Sequence, residues 1–409
     1  MAMALRPSLP CSKNATLLGT DRAEEADWSD LPPELICLIS RKLTDISDFV
    51  RFRVVCKRWR SAVGASDLPP QLPWIMDNCG SFKNGYLRFY SLLTGKTHTI
   101  NVPQSADISV RGSAYNYLFT SNWQTRECSL FNPLTNEELS LPRAKSRFPG
   151  CVPSGLYPGQ SSRYVIMSKP PDSPCTPFFL CQPGDHEWAR LEFDPFSFRY
   201  SFDIGEFSNE GFTFYDGKCY ASTWQSHDSK VNDTKVIDVA TYAVTRVPHP
   251  EPDLKGISVH LVASFGVILR ICHYEKYSKR KPGYFRIYRL ELGPRDGDGN
   301  AMDPCWVEID SISNQFLFLY DIHGCAFRAE DFPGFVGNSI YFSRENFEEE
   351  ETIEETFELF RYDIKEKKTE VLPAAINLAH HWFVPSLSSN YLSCKQGHLK
   401  GEVTDMLAE

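Results

Sequence analysis

The chain has 409 residues, of which 42% are hydrophobic and 13% aromatic, and its formal net charge is -9 at pH 7. These values exclude a disordered chain and indicate a globular protein with room for more than one domain. The 13 cysteines are odd in number and none stands in a Cys-X-X-Cys pair. They therefore argue against a disulfide framework and a closed zinc site, and they favour a reducing compartment.

Residues 1 to 26 are predicted to be a disordered N-terminus. They lack the apolar core of a secretory signal, although the absence of acids before Asp21 keeps an organellar transit peptide open as an alternative. The longest apolar stretch of the chain, residues 261 to 269, is far shorter than the roughly 20 residues that a bilayer requires. The nucleus or the cytoplasm is therefore the expected location.

Residues 27 to 63 differ in charge from the rest of the chain. Their bases exceed their acids by two, which leaves -11 for the remainder. An acidic bulk argues against a nucleic-acid-binding protein, because phosphate contacts need a concentrated basic face. A small basic module on an acidic body indicates an acidic protein partner for that module.

This basic segment has the pattern of three short helices. Asp30 followed by Pro32 and Pro33 predicts a helix start. Ser47 or Asp48 is the predicted cap of a second helix. Three apolar runs follow the helical spacing: Leu35, Leu38, Ile39 and Leu43; then Phe49, Val50 and Phe52; then Val55, Cys56, Trp59 and Val63. So small a unit needs a partner or a neighbouring domain to cover its apolar surface.

The segment resembles the F-box over its whole length. The resemblance is carried by Leu31-Pro32-Pro33-Glu34-Leu35, Ile39, Leu43, Phe52-Arg53-Val54-Val55-Cys56-Lys57 and Trp59-Arg60. It implies binding to the Skp1 adaptor of an SCF ubiquitin ligase and, through the adaptor, to a cullin. The apolar contact set that it implies is Leu31, Pro32, Leu35, Ile39, Leu43, Val50, Phe52, Val55 and Trp59.

Two other interpretations of the segment remain. In one, the same apolar residues are an ordinary three-helix core. In the other, a helix-turn-helix reads DNA through Arg51, Arg53, Lys57, Arg58 and Arg60. Acidic residues lie between these basic residues, which argues against DNA binding. The number of matched positions favours the F-box.

After a proline-dense stretch at residues 67 to 74, which predicts a linker, short β-type runs repeat. An apolar strand, a polar turn, a second strand and a proline recur at residues 131 to 142, 237 to 248 and 362 to 373, with looser copies elsewhere. The repeats predict a β-propeller of six or seven blades, with residues 382 to 387 as a closing strand. The equivalent end points are Val102, Leu141, Leu191, Val247, Ile309 and Leu372.

This half resembles the C-terminal domain of plant F-box proteins of the DUF295 type, a KIB-type propeller. The carrying residues are Arg111-Gly112-Ser113, Leu130-Phe131-Asn132-Pro133-Leu134-Thr135, Trp306-Val307-Glu308-Ile309, Asp331-Phe332-Pro333-Gly334 and Asn338-Ser339-Ile340-Tyr341-Phe342. The chain departs from the family's pattern at Ser343-Arg344-Glu345 and at Asn116-Tyr117. The expected class is an α+β multidomain protein: F-box at 27 to 66, linker at 67 to 74, propeller at 75 to 388 and a tail at 389 to 409.

No signature of an enzyme is present: the chain lacks a G-X-S-X-G elbow, a phosphate-binding P-loop and an H-E-X-X-H motif. Residues 296 to 300 fail the EF-hand pattern and are interpreted as a loop. His380 and His381 point to opposite faces of a strand, which argues against a metal site. No cofactor and no metal are predicted.

Two charge runs are candidate contacts for a target protein, although solvated loops are the simpler explanation of both. The runs are Lys276, Lys279, Arg280 and Lys281, and Glu348, Glu349, Glu350 and Glu351. The expected function is that of a non-catalytic substrate receptor of a ubiquitin ligase. The alternative is a protein-binding propeller that works without the adaptor.

Overall fold

The computed structural model describes residues 28–77, 81–114, 116–144, 164–167, 178–181, 183–191, 212–223, 233–238, 240–241, 243–250, 257–274, 283–291, 293, 303–320, 323–346, 356–376 and 378–387. Within these residues three helices precede 24 strands. The helices are α1 (Pro33–Ser40), α2 (Ile46–Arg53) and α3 (Lys57–Ala62).

The strands fall into six sheets. Their bounds are β1 Trp74–Asp77, β2 Tyr86–Ser91, β3 Thr97–Asn101, β4 Ile108–Ala114, β5 Tyr117–Asn122, β6 Cys128–Asn132, β7 Glu137–Leu141, β8 Tyr164–Met167, β9 Phe178–Cys181, β10 Ala189–Leu191, β11 Phe212–Tyr215, β12 Lys218–Thr223, β13 Asp233–Asp238, β14 Val244–Pro248, β15 Ile257–Ser264, β16 Val267–Tyr274, β17 Tyr284–Glu291, β18 Cys305–Ile309, β19 Gln315–Tyr320, β20 His323–Arg328, β21 Ser339–Asn346, β22 Thr356–Asp363, β23 Lys368–Ile376 and β24 Leu378–Phe383.

The helices begin where local chemistry favours a start. Pro33 is the first residue of α1, where its missing N–H leaves no hydrogen bond unmade. The cap of α2 is Asp45, whose Oδ1 accepts a hydrogen bond from the Ser47 N–H at 2.8 Å. The predicted caps Ser47 and Asp48 are therefore wrong, because both lie inside the first turn. Cys56 caps α3 through its Sγ.

The β half is a propeller with five complete blades, each a sheet of four or five strands, rather than the six or seven that the repeats predict. The blades are β24-β1-β2-β3, β4-β5-β6-β7, β11-β12-β13-β14, β15-β16-β17-β18 and β20-β19-β21-β22-β23, and a sixth sheet, β10-β9-β8, has three strands in the described residues. The predicted count included the copy at residues 179 to 191, which supplies β9 and β10 of the three-stranded sheet and therefore no complete blade within the described residues.

The repeats correspond to the last two strands of the blades. In each close copy the first of these two strands ends in an Asn or Asp whose side chain accepts hydrogen bonds from the backbone of the turn. Asn132 accepts from the Leu134 N–H at 2.9 Å, Asp238 from the Thr241 N–H at 2.8 Å and Asp363 from the Glu366 N–H at 2.9 Å. These Asx contacts explain why the turn signal recurs.

The ring is closed by β24, which contains Trp382 and Phe383 of the predicted closing strand but begins at Leu378 and ends at Phe383, so the predicted bounds of 382 to 387 are wrong. Strand β24 pairs antiparallel with β1, so the first blade combines a late strand with three early ones. Asn132 reinforces the closure, because its Nδ2 donates to the Ser386 carbonyl at 3.4 Å. Closure removes an exposed sheet edge.

Apolar layers fill the spaces between neighbouring blades. One layer joins β15–β18 to the five-stranded blade through Leu269, Ile287, Leu317 and Phe342. An aromatic layer, which includes Phe316, Phe318, Phe332, Tyr341 and Trp382, joins that blade to the first. The five-stranded blade also contains a parallel pair, β19 and β21, among antiparallel neighbours.

Candidate functional site: an exposed apolar surface on the N-terminal helices

The N-terminal helices expose an unusual share of large apolar side chains. Seven of the thirteen such residues that are exposed in the described part of the chain lie between residues 28 and 55. We call these seven the apolar surface: Trp28, Leu35, Leu38, Ile39, Val50, Val54 and Val55. A concentration of this kind marks an interaction site more often than scattered exposed residues do.

Helix α1 turns its apolar stripe outward. Leu35, Leu38 and Ile39 are 45%, 55% and 38% exposed, whereas Ile36 is fully buried in the core. The predicted stripe is therefore a free face, and the residue that anchors the helix is one that the sequence analysis did not single out. A covered helix would show the opposite distribution.

Helix α2 and the turn after it extend the exposed apolar residues. Phe49 is fully buried, while Val50 faces solvent. Because α2 ends at Arg53, Val54 and Val55 lie in the connection to α3 and are 67% and 61% exposed. Leu38, Val54 and Trp28 were not among the predicted contacts. The exposure of Val54 depends on where α2 ends, which the sequence pattern does not show.

The nine predicted adaptor contacts divide into three groups by exposure. Five are exposed: Pro32, Leu35, Ile39, Val50 and Val55. Leu31 and Leu43 are half-buried against the core. Phe52 and Trp59 are buried, with ring centroids 4.4 Å apart, and so they support the surface from inside.

A polar contact fixes these helices to the propeller. The Asp45 carboxylate is 7% exposed, and its Oδ2 accepts a hydrogen bond from Lys96 Nζ at 2.7 Å. Lys96 lies in the turn between β2 and β3. Burial tends to raise the pKa of Asp45, but the hydrogen bonds from Lys96 and Ser47 prevail and hold it below its usual value. The same hydrogen bond raises the pKa of Lys96.

The stretch expected to be a linker is also packed in place. Leu68, Gln71 and Leu72 are 3%, 2% and 1% exposed. Gln71 Nε2 donates to the Thr44 carbonyl at 3.1 Å. One apolar cluster runs from Phe49 and Trp59 through Leu68 to Trp74 in β1, so the helices and the first blade share a core.

The basic residues of the helices are partly neutralised. Arg51 pairs with Asp48 at 2.9 Å and Arg58 with Asp30 at 3.1 Å, both at exposed positions. Arg53 donates through Nε to the Val63 carbonyl at 2.9 Å. These contacts are typical of a structural role, which disfavours the DNA-reading alternative.

The remaining predicted features add no second site. Both charge runs, at residues 276 to 281 and 348 to 351, lie outside the described residues, as do residues 296 to 300 and the side chain of His380. Among the residues that the structure describes, no group of three metal-ligating side chains occurs. No helix in the described ranges is long and apolar enough to cross a membrane. None of the eight described cysteines forms a disulfide bond.

Comparison with known proteins agrees with both halves of the chain. The F-box domain model matches residues 28–70, and the KIB1-4 beta-propeller model matches residues 89–368. An F-box/kelch-repeat protein of Arabidopsis thaliana is 25% identical over 354 residues, which cover 85% of this chain and 92% of that protein. Another F-box protein of Arabidopsis thaliana is 24% identical over 404 residues, 90% of this chain and 98% of that protein.

Of two further comparisons, one covers a short part of the chain and the other is distant in sequence. The F-box protein SKIP23 of Arabidopsis thaliana is 49% identical over 57 residues, 13% of this chain and 14% of that protein. The solved structure of TolB from Acinetobacter baumannii aligns with a TM-score of 0.44 and 9% identity over 82% of this chain and 72% of that chain, which is too distant to bear on function. Because the propeller model matches more than half of the residues, the chain belongs to the KIB1-4 β-propeller family and carries an N-terminal F-box domain.

Proposed function

We propose that the chain is the substrate-recognition subunit of an SCF E3 ubiquitin ligase. Its F-box binds a Skp1-type adaptor, and through it a cullin, while its propeller binds a target protein for ubiquitination. The observation that carries the proposal is the apolar surface, which leaves seven large side chains of the F-box exposed. Because apolar side chains are more stable away from water, the free energy falls when a partner covers such a face.

The proposed mechanism is proximity. A receptor that holds the adaptor with one domain and the target with the other raises the effective concentration of the target's lysines near the ubiquitin-charged enzyme. The shared core between the helices and the first blade supports this mechanism, because it limits the orientations that the target can adopt. The chain itself acts as a non-catalytic receptor, as is typical of F-box proteins. We place this activity in the nucleus or the cytoplasm.

The proposal is tested by adaptor binding with two matched variants. Val55→Asp introduces a charge into the apolar surface at a residue that is 61% exposed. Val371→Asp introduces the same charge outside the apolar surface, at a propeller residue that is 62% exposed. A central apolar contact typically contributes about 2 kcal/mol or more to an interface. We therefore expect Val55→Asp to weaken adaptor binding at least tenfold in titration calorimetry, and Val371→Asp to leave it unchanged.

Both variants should retain the melting temperature of the parent chain, because both sites face solvent. If the parent chain does not bind the adaptor, the proposal fails and the adaptor-independent propeller becomes the better interpretation. Equal effects of the two variants would place the adaptor contact elsewhere. The buried pair Phe52 and Trp59 is unsuitable for this test, since substitution there would unfold the helices.

A further inference from the structure

The turn between β15 and β16 presents an aromatic residue in a backbone conformation that aromatic residues avoid. Ser264 pairs with Val267, so the turn consists of Phe265 and Gly266 alone. Their φ angles are +39° and +99°, the left-handed region that Gly, Asn and Asp favour. The neighbouring blade has a matching turn between β11 and β12, filled by the favoured pair Asp216 and Gly217.

A bulky residue in this conformation is a strained choice, and such choices are retained where the side chain has a use. Phe265 as a whole residue is 36% exposed. The Arg328 guanidinium lies over it, 4.9 Å from the ring centroid. The ring surface is therefore already in contact with one cation, while much of the side chain still faces solvent.

The surroundings of Phe265 come from three adjacent strands. Strand β15 contacts both β11 and β20, and each is the edge strand of its sheet. We call five residues at the ends of these strands the aromatic-acidic cluster: Tyr215, Asp216, Phe265, Arg328 and Glu330. Arg328 contacts both Phe265 and Glu330. A side chain at Gly266 would lie 3.8 Å from the Tyr215 hydroxyl, which shows how closely the turn approaches β11.

The charge of this cluster is unbalanced. Glu330 is 61% exposed and lies 3.6 Å from Arg328, a long contact for an ion pair. Asp216 is exposed at its turn. The cluster thus contains two carboxylates and one guanidinium, with Glu330 beside Arg328 and Asp216 in the turn of the neighbouring blade. A cation is attracted both by the face of the ring and by the carboxylates.

We propose that the aromatic-acidic cluster is a contact site for the target protein and that it takes a basic segment of that target. A lysine or arginine of the segment lies against the exposed part of Phe265, and its charge is shared with Asp216 and Glu330. The inference rests on the proposed function, because it names the chemistry of the target that the propeller receives. It does not depend on the adaptor.

The strain at Phe265 separates this proposal from a structural role. Asn suits the left-handed region better than Phe. If Phe265 serves binding, Phe265→Asn raises the melting temperature and weakens binding. If Phe265 serves the fold through its contact with Arg328, the same substitution lowers the melting temperature.

The test uses the full chain and two fluorescein-labelled twelve-residue peptides, one of alternating glycine and lysine and one of alternating glycine and glutamate. We expect fluorescence anisotropy at low ionic strength to give at least fivefold tighter binding of the lysine peptide. Phe265→Asn and Glu330→Gln should each weaken that binding at least threefold, and added salt should weaken it further. The control Glu187→Gln removes an exposed carboxylate in the turn before β10 and should have no effect.

Equal binding of the two peptides would overturn the proposal, as would unchanged lysine-peptide binding by Phe265→Asn. Phe265→Leu is a second test, because it removes the aromatic ring but keeps an apolar side chain. It should also weaken binding of the lysine peptide. Loss of adaptor binding in calorimetry would refute the ligase function without altering the peptide result, so the two failures are distinguishable.

Discussion

Asp45 Oδ2 and Lys96 Nζ lie 2.7 Å apart and join the F-box to the first propeller blade. The same carboxylate caps α2 through the Ser47 N–H. One side chain therefore both starts a helix and fixes that helix to a neighbouring domain. The two roles can be separated, because Asn keeps a capping oxygen but carries no charge.

The first prediction concerns Asp45. Asp45→Ala loses cap and ion pair, and we expect its free energy of unfolding in urea at pH 7 to fall by about 1 kcal/mol or more. The free energy of unfolding should fall less for Asp45→Asn, which keeps the capping oxygen. The folded-state pKa of Asp45 is lowered, so the charged carboxylate stabilises the fold above its unfolded pKa, and that contribution is lost as pH falls through the folded pKa. The parent chain and Asp45→Asn should therefore converge in acid; a constant difference would contradict this.

The second prediction concerns Phe49, which is fully buried in the core shared by the F-box and the first blade. Phe49→Ala should lower the free energy of unfolding by about 3–5 kcal/mol. Because the core is shared, calorimetry should show one transition that moves as a whole. Two transitions, with only the weaker one shifted, would mean that the helices unfold independently. Val54→Ala, at an exposed position of the same segment, is the control.

The third prediction concerns Asn338, at φ +54° before β21. Its Oδ1 accepts hydrogen bonds from the Ile312 N–H at 2.9 Å and from Ser311 Oγ at 3.1 Å. Asn338→Gly loses these bonds, which should lower stability by about 1–3 kcal/mol. The stability of Asn338→Ala should be lower by about 1 kcal/mol more, because the left-handed region is also unfavourable for alanine. Urea unfolding measures both, and the reverse order would disprove the backbone argument.

The fourth prediction concerns Asn132, which is fully buried between the second blade and the residues after β24. Asn132→Asp keeps the oxygen that accepts from the turn but replaces the donor facing the Ser386 carbonyl. The resulting repulsion should lower stability by about 1–3 kcal/mol. Hydrogen exchange should accelerate first in β24. Asp238→Asn, the reverse exchange at the equivalent turn of another blade, should leave β24 unaffected.

Local chemistry allowed much of the fold to be predicted. Proline at the start of α1 and the polar turns after Asn132, Asp238 and Asp363 are all contained in a few neighbouring residues. The existence of a closing strand could be predicted as well, because an unmatched apolar run after the last repeat must find a partner, but its start at Leu378 was missed.

What depends on distant packing could not be predicted. The periodicity of α1 marks Leu35, Leu38 and Ile39 as one face, but only the position of the propeller shows that this face remains exposed. Asp45, Ser47 and Asp48 are all capable caps, and the partner that favours Asp45 lies 51 residues away at Lys96. Phe265 escaped notice because phenylalanine is not a turn residue.

The pairing of β24 with β1 has a consequence for biosynthesis. Residues of the F-box, of β1 and of β24 belong to one apolar cluster that includes Phe49, Trp74 and Phe383. The helices leave the ribosome first, yet the blade on which they rest lacks its inner strand until residue 383 has been translated. A chain whose synthesis stops before that residue therefore lacks part of the apolar core that supports its helices, so the F-box is fully supported only once almost the whole chain has been made.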